Sequence, residues 1–448
     1  MSGLLPPATE HRLDPATSLV VIPWRRLPLV HLHIHLDGGT DLDPPRREGT
    51  AQLTAELLAA GAGPRDRAAF ARLLDETGAS LSISPTRRAT FFTLGLPAEA
   101  LSAGVALLTD VLARPRLEEE EWVKIRRRAR QDAVMLREND PGTLAALAGR
   151  AWLYGVHHPD GRLETGDEAS LGRARRDDAA HLHQQLLRSP RRWVLAIGDA
   201  AEDEHLRAAR TLMEALAPAS PPSAPPPPPT PPAAPILLLD RPGSHQAYLW
   251  LGHAFGPEIM NEDPLAVELT RATLGGHFLS LLNRRLRVEL GLTYGAHASW
   301  QRSRWGGWTA VATYTASEAL GDTLTATFDL LDAVAQDGPA STDLETTRRY
   351  LTGQHAFGFE TPTALARRFE AIVEGLRRRE HDEEYAERLA AVSPPEVARL
   401  ARSYWPRRER FRLCVVGDAA SLRPVLETYG TLRVYTPGPT GIVPTNRG

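Results

Sequence analysis

The feature that most constrains this chain is a proline-rich run near its middle, between two stretches that both read as folded. Ser220–Pro235 is almost entirely Pro, with Ala, Ser and Thr. Such a run cannot build a hydrophobic core and is typical of extended polyproline II. We therefore predict a linker between two folded halves. The alternative, a ligand for a proline-binding module, is disfavoured because both flanks look folded.

The two halves show the same order of strands and helices, which indicates an internal repeat. Their closing segments are nearly superimposable, Trp-Val-Leu-Ala-Ile-Gly-Asp-Ala at 193–200 and Arg-Leu-Cys-Val-Val-Gly-Asp-Ala at 412–419. Strands mixed with long runs of helices favour an α+β fold over a doubly wound parallel sheet. We predict two tandem α+β domains, 1–218 and 236–448, joined by a linker at 219–235.

Composition narrows the class of function. The formal net charge of −3 is close to zero, so nothing suggests a positive field for binding nucleic acid. The positive charge is almost all Arg, with Lys124 the only lysine. The single cysteine, Cys414, excludes an internal disulfide and a Cys-based zinc site, and its apolar surroundings predict a buried, inert thiol.

No targeting segment is recognisable. Residues 1–17 lack a basic region followed by an apolar run, and no apolar stretch approaches membrane-spanning length. The expected compartment is the cytoplasm, with the periplasm as the alternative for a mature form.

A short segment before the second closing strand carries the candidate chemistry. Residues 284–295 read as the end of an amphipathic helix, stopped at Gly291, with a strand starting near Leu292. Arg287 and Tyr294 flank this step, and a helix-to-strand turn can aim both side chains into one cavity. A guanidinium and a phenol suit the binding and polarisation of a peptide carbonyl. The alternative is a surface Arg beside a half-buried strand Tyr.

With this segment, the chain resembles the pitrilysin/insulinase (M16) metallopeptidases, the family that includes the mitochondrial processing peptidase and the core subunits of the bc1 complex. The resemblance covers about residues 10–430. Its most specific pieces are Leu286-Arg287 through Gly291-Leu292-Thr293-Tyr294, and Gly166-Asp167-Glu168 with the helix that follows. It implies two tandem homologous repeats of the LuxS/MPP-like type.

The resemblance also shows what is missing. In the family the first repeat carries His-x-x-Glu-His on a helix, where two His bind zinc and the Glu activates water. The matching stretch here places Gln52 and Glu56 at the two His positions and Ala55 at the position of the general base. The third family ligand, a Glu, falls near Asp132-Ala133. We therefore expect no metal in this chain and no peptidase activity from it alone.

The second repeat keeps the pair that the family uses on the substrate. The resemblance implies that Arg287 and Tyr294 bind the substrate backbone and stabilise the oxyanion. We expect a catalytically incomplete subunit that pairs with a zinc-bearing His-x-x-Glu-His subunit, as a heterodimer or larger assembly, and with it hydrolyses peptides. The alternative is a purely structural M16-like subunit.

Two other patterns have competing interpretations. His31, His33 and His35 alternate on one strand face, but their spacing of about 6–7 Å favours a polar lining over a metal site. The pair Gly275-Gly276 is either a substrate-contacting loop or, as we prefer, a tight helix–helix turn.

The basic run Arg126–Arg130 shares a predicted helix with the acidic run Glu118–Glu121. This pattern predicts a solvated, salt-bridged face of the helix.

Overall fold

The computed structural model describes residues 5–222 and 224–444 and confirms the α+β class. In that part of the chain the strands form two six-stranded sheets. The strands are β1 (Thr9–Asp14), β2 (Thr17–Pro23), β3 (Leu29–Asp37), β4 (Ser80–Pro85), β5 (Ala89–Pro97), β6 (Arg192–Gly198), β7 (Ile236–Asp240), β8 (Gln246–Phe255), β9 (Ala296–Ser303), β10 (Gly306–Ala316), β11 (Arg412–Gly417) and β12 (Leu432–Tyr435).

The α-helices lie between these strands. They are α1 (Thr50–Leu58), α2 (Arg67–Thr77), α3 (Leu101–Ala113), α4 (Glu119–Asn139), α5 (Pro141–Tyr154), α6 (Glu168–Arg173), α7 (Arg176–Leu187), α8 (Glu202–Glu214), α9 (Pro264–Gly275), α10 (Leu320–Asp337), α11 (Ser341–His355), α12 (Pro362–Val373), α13 (Glu380–Glu383), α14 (Tyr385–Ala391), α15 (Pro394–Tyr404) and α16 (Ala419–Leu426). A π-helix spans Asn283–Glu289.

The two sheets have the same internal order, which supports the predicted repeat. The first runs β1-β2-β6-β3-β5-β4 and the second β12-β7-β11-β8-β10-β9. In both, the closing strand of the repeat lies third, parallel to the strand before it and antiparallel to the strand after it. The sheets differ at one edge, because β1 is antiparallel to β2 whereas β12 is parallel to β7.

Burial follows from these positions. The closing strand β6 is buried at every residue, and β11 at all but its first, as expected for central strands covered on both faces. Strand β3 buries Val30, Leu32, Ile34 and Leu36 in the core of the first sheet, so its alternate histidines face the other side.

The chain folds into two compact units that each take segments from both sides of the Pro-rich run. The first comprises 1–134, 163–224 and 357–370, and the second comprises the remainder. Helix α5 accordingly packs on β8 and β11 of the second sheet. Gly149 makes this packing possible, because a Cβ there would lie 2.4 Å from the Trp250 ring.

The Pro-rich run contains neither helix nor strand in its described residues. Its second half is held within the second unit by side chains of α5 and the following loop. Trp152 donates to the Ala234 carbonyl at 2.9 Å, and His158 Nε2 lies 2.7 Å from the Pro227 carbonyl. The role of this segment as a linker stays a prediction.

Some elements differ from the sequence prediction. The region after Gly166-Asp167, where the sequence indicates one helix, forms two helices, α6 and α7, and the sequence analysis does not predict helix α8 or strands β1 and β12. Within the described residues, no helix is both long and apolar enough to cross a bilayer.

Candidate functional site

Helix α1, the counterpart of the family's zinc helix, starts from a tightly fixed turn. Gly49 has a left-handed backbone with φ of 90°, and a Cβ there would lie 2.6 Å from the Thr165 carbonyl oxygen. The buried carboxylate of Asp43 accepts hydrogen bonds from the backbone N–H groups of Gly49 and Ala51, both at 2.7 Å. The backbone N–H groups at the start of a helix have no partner within the helix, and Asp43 accepts hydrogen bonds from two of them. These contacts fix the direction of the helix.

The three positions that correspond to the zinc motif do not form a metal site. Gln52 donates a hydrogen bond to the Pro85 carbonyl at 3.3 Å, and Ala55 is buried. Glu56 is exposed and forms an ion pair with Arg128 of α4. An amide, a methyl group and a carboxylate already paired with a guanidinium do not fit Zn²⁺, and the methyl group cannot accept a proton from water.

Helix α4 brings the expected position of the third ligand beside α1 but supplies no ligand there. Ala133 packs against the apolar cluster that contains Leu53 and Leu57 of α1. Its neighbour Asp132 is exposed.

The segment with Arg287 and Tyr294 departs from the predicted helix-to-strand step in both halves. Residues 277–280 form turns rather than helix, and Asn283–Glu289 is a π-helix. Strand β9 starts at Ala296, not near Leu292, so Tyr294 lies in a loop. The reversal occurs at Gly291, whose φ of 63° is left-handed and costs a glycine little. Single π-helical turns are frequent at functional sites.

Arg287 differs from the two other arginines of the π-helix. Arg284 forms a two-pronged ion pair with Asp343, and Arg285 donates to Glu289 at 2.9 Å. Among the described residues, the exposed Arg287 guanidinium makes no hydrogen bond or ion pair; it lies 4.7 Å from the centre of the Phe278 ring. The strongest donor group of the segment is therefore available to a ligand.

Tyr294 is also presented outward. Its side chain is 77% exposed, and no partner for its hydroxyl is found within residues 5–222 and 224–444. The ring is stacked 6.5 Å from that of Tyr314, which in turn is stacked on Tyr248. Within these described residues, no hydrogen bond or ring contact joins Tyr294 to Arg287.

The backbone beneath these two side chains is held by buried polar groups that the sequence did not single out. Asn283 donates to the His277 carbonyl at 3.1 Å and to Ser280 Oγ at 3.2 Å, and its Oδ1 accepts from the Ala296 N–H at 2.9 Å. It thus ties the turn before the π-helix to the first residue of β9.

The loop of Tyr294 is fixed from the other side by threonines. Thr313 Oγ1 donates to the Gly295 carbonyl at 2.9 Å, and Thr315 Oγ1 donates to the Leu292 carbonyl at 2.7 Å. These side chains replace the strand ladder that Tyr294 lacks. The sequence feature that could have indicated this role is the alternation of Thr residues on an otherwise apolar strand.

The same segment carries a concentration of exposed apolar side chains. Within residues 278–294 these are Phe278, Leu279, Val288, Leu290 and Tyr294, exposed by 40–77%. Clustered exposure of this kind marks interaction surfaces in soluble proteins.

The remaining sequence candidates have structural roles. A Cβ at Gly275 would lie 2.4 Å from the Ala298 backbone nitrogen, so this glycine allows α9 to approach β9 closely. His33 contacts Thr93, and its pKa is lowered to about 4 by burial and by His31. Burial also raises the pKa of the Cys414 thiol, as expected for an inert buried group.

Comparison with known proteins identifies the family to which this architecture belongs. Residues 27–148 match the family described as Insulinase (Peptidase family M16), and residues 173–351 match the domain described as Peptidase M16 inactive domain. The chain belongs to the M16 peptidase family. The predicted family and its two-domain fold are therefore confirmed.

Solved structures agree with this assignment. A peptidase M16 inactive domain from Pseudomonas fluorescens superimposes with a TM-score of 0.82 at 20% identity, over 92% of this chain and 98% of that chain. A protease from Helicobacter pylori gives 0.79 at 15% identity, over 92% and 100%. These likenesses establish the fold.

Curated relatives of this M16 protein are described in two ways. A non-peptidase homolog, YmxG of Helicobacter pylori, is 22% identical over 60% of this chain and 62% of its own length. An uncharacterized zinc protease of Mycobacterium tuberculosis is 23% identical over 84% of this chain and 85% of its own. The side chains of α1 decide between the two: this is a catalytically incomplete M16-like protein.

Proposed function

We propose that this M16 protein pairs with a separate, zinc-bearing member of the family and supplies Arg287 and Tyr294 for peptide hydrolysis in that assembly. The observation that carries the proposal is the guanidinium of Arg287, which has no hydrogen-bond or ion-pair partner among the described residues. The neighbouring Arg284 and Arg285 are both neutralised by carboxylates. The exposed cation and the exposed phenol lie seven residues apart on a segment whose backbone is fixed by buried hydrogen bonds, and both are available to a ligand outside this chain.

Each side chain has a defined chemical role in the proposal. The Arg287 guanidinium donates two hydrogen bonds to backbone carbonyls of the substrate and so fixes its register. The Tyr294 hydroxyl donates to the oxyanion that develops when water adds to the scissile carbonyl. One such donor accounts for about 10²–10³ in turnover.

The surroundings of the pair support a role in an assembly. Phe278 and Val288, which are 59% and 65% exposed, provide apolar surface that a partner would cover. Exclusion of water from the site strengthens hydrogen bonds to developing charge, because the local dielectric constant falls. The metal and its activated water belong to the partner, since Gln52, Ala55 and Glu56 cannot hold zinc or act as the base.

The proposal is tested by peptidase assays on a quenched fluorescent peptide library. The arms are this chain alone, a candidate partner carrying His-x-x-Glu-His alone, and the mixture. The variants are Tyr294→Phe and Arg287→Ala. Arg285→Ala is the matched control, because Arg285 lies on the same π-helix but is paired with Glu289.

We expect activity only in the mixture, about 10²-fold lower turnover for Tyr294→Phe, and little change for Arg285→Ala. Co-elution of the variants with the partner shows that assembly is intact. If Tyr294→Phe and Arg287→Ala assemble and retain full turnover, the alternative holds, and the chain is a structural subunit.

A further inference from the structure

A second surface of this protein carries positive charge that the carboxylates of the described residues do not fully neutralise. A groove of about 350 Å³ in the first unit runs along α4 beside α6. Its charged side chains are Arg126, Arg127, Arg130 and Glu168. Three cations against one carboxylate leave two uncompensated positive charges in the groove.

The helix that carries these arginines has the salt bridges that the sequence pattern predicts, but the preceding glutamates do not pair with the groove arginines. All four carboxylates are engaged with other cations: Glu118 with Arg116, Glu119 with Arg176, Glu120 with Lys124, and Glu121 with Lys124 and Arg67. The pKa of Glu121 is lowered mainly by its hydrogen bonds with Arg67 and Lys124. The acidic run therefore supplies no carboxylate partner to the groove arginines.

The three arginines have different local environments. Arg126 donates to the Ala174 carbonyl at 3.0 Å, at the carboxyl end of α6. Arg130 lies 3.7 Å from Glu168, at the start of α6. Arg127 is exposed, and no hydrogen bond or ion pair to it is found among the residues that the structure describes.

The groove also has an apolar component at helical spacing. Val123, Arg127, Arg130 and Val134 follow one another at intervals of four, three and four residues, so they lie along one stripe of α4. The adjacent stripe, which includes Trp122 and Ile125, is buried against α1. Helix α4 is thus anchored on one side and presents guanidinium groups between two valines on the next.

We propose that this groove binds an acidic segment of a polypeptide, with carboxylates at Arg127 and Arg130 and apolar side chains at the two valines. Carboxylates match the planar, multidentate donor pattern of guanidinium groups. The valines favour a peptide over a purely ionic ligand, and two uncompensated charges are few for a nucleic-acid site. The proposal does not depend on Arg287 or Tyr294.

The test is fluorescence anisotropy with the full chain and a fluorescein-labelled peptide rich in glutamate with isolated leucines. The comparison ligands are the same peptide with lysine in place of glutamate, inorganic phosphate as competitor, and a single-stranded oligonucleotide. The variants are Arg127→Gln, Arg127→Lys and Arg127→Glu. Arg207→Gln is the matched control, since Arg207 is an exposed arginine of the same unit that is paired with Asp203.

We expect binding of the glutamate peptide, no binding of the lysine peptide, and loss of binding near 0.5 M salt, because exposed charges are then screened over roughly 4 Å. Arg127→Gln should weaken binding about fivefold and Arg127→Glu by more, whereas Arg207→Gln should change it little. Arg127→Lys should give an intermediate loss, because lysine keeps the charge but not the planar donor pattern. Because Arg127 is exposed, circular dichroism should show all variants folded.

Three results would overturn the proposal. One is equal binding of the glutamate and lysine peptides. Another is an Arg127→Glu variant that binds as tightly as the unaltered chain. The third is displacement of the peptide by phosphate, or capture of the oligonucleotide, at comparable affinity, which would make the groove a general anion site.

Discussion

Replacement of Asn283 by Ala is a severe local perturbation beneath the proposed catalytic pair. The side chain is buried and makes three hydrogen bonds, to the His277 carbonyl, Ser280 Oγ and the Ala296 N–H. Each lost bond costs about 1 kcal/mol, and each buried group left without a partner costs about 1–3 kcal/mol. Because Ala296 and Ser280 are themselves buried, we expect Asn283→Ala to destabilise this segment by roughly 2–4 kcal/mol.

Hydrogen exchange is the appropriate assay, because a chain with two compact units need not unfold in one step. The Ala296 amide should exchange about 30-fold faster or more in the variant, in proportion to the lower free energy of local opening. Amides of β6, in the other unit, should be unaffected. In the assembled peptidase, Asn283→Ala should lower turnover without removing Arg287 or Tyr294.

Asn139→Ala provides the control, since Asn139 is exposed and, among the described residues, its side chain makes a single hydrogen bond, to Met135 Sδ at 3.6 Å. Asn283 does not have the assigned role if Asn283→Ala changes local stability by less than about 0.5 kcal/mol, the range of ordinary surface substitutions, or leaves exchange at Ala296 unchanged.

Three further predictions concern other parts of the molecule. Because the folded-state pKa of His33 is about 4 against about 6.5 in the unfolded chain, stability should fall as pH drops through that window, by up to about 3 kcal/mol. Urea unfolding at pH 7 and pH 4.5 should show that the variant His33→Gln loses less stability between these pH values than the unaltered chain does. The exposed control His181→Gln should lose as much stability as the unaltered chain. Gly275→Ala should lower the free energy of unfolding by about 1–3 kcal/mol, which is measured as a lower unfolding midpoint, because the added Cβ would clash with the Ala298 backbone. Gln52→His with Glu56→His should raise Zn²⁺ affinity in calorimetry by about tenfold or more, and no gain would contradict the assigned face of α1.

The fold was predictable where pattern and burial agree. The closing strands β6 and β11 are central and covered on both faces, so their apolar runs are unambiguous. Edge strands such as β1 and β12 are short and half-exposed, and their sequences carry little periodicity. Helix α8 was missed although its amphipathic pattern is clear, because the Gly-Asp turn before it was interpreted as the end of the repeat.

The candidate site was predictable in its residues but not in its geometry. The end of the helix at Gly291 was predictable because glycine readily adopts the left-handed backbone conformation that commonly ends helices, and Gly291 has this conformation. The loop at Tyr294 was mistaken for a strand, since Leu292-Thr293-Tyr294 alternates as a strand does. Its hydrogen bonds come from Thr313 and Thr315, some twenty residues later, and a local pattern contains no trace of such distant partners.

The placement of α5 has a consequence for biosynthesis. This helix is translated roughly 90 residues before β8, the strand on which it packs. At typical elongation rates, that interval is on the order of 10 s. During that time the apolar face of α5, including Leu144 and Trp152, emerges from the ribosome without the sheet that later covers it. The apolar face of α5 therefore stays uncovered until β8 has been synthesised. A chaperone that binds α5 during this interval would increase the yield of folded protein.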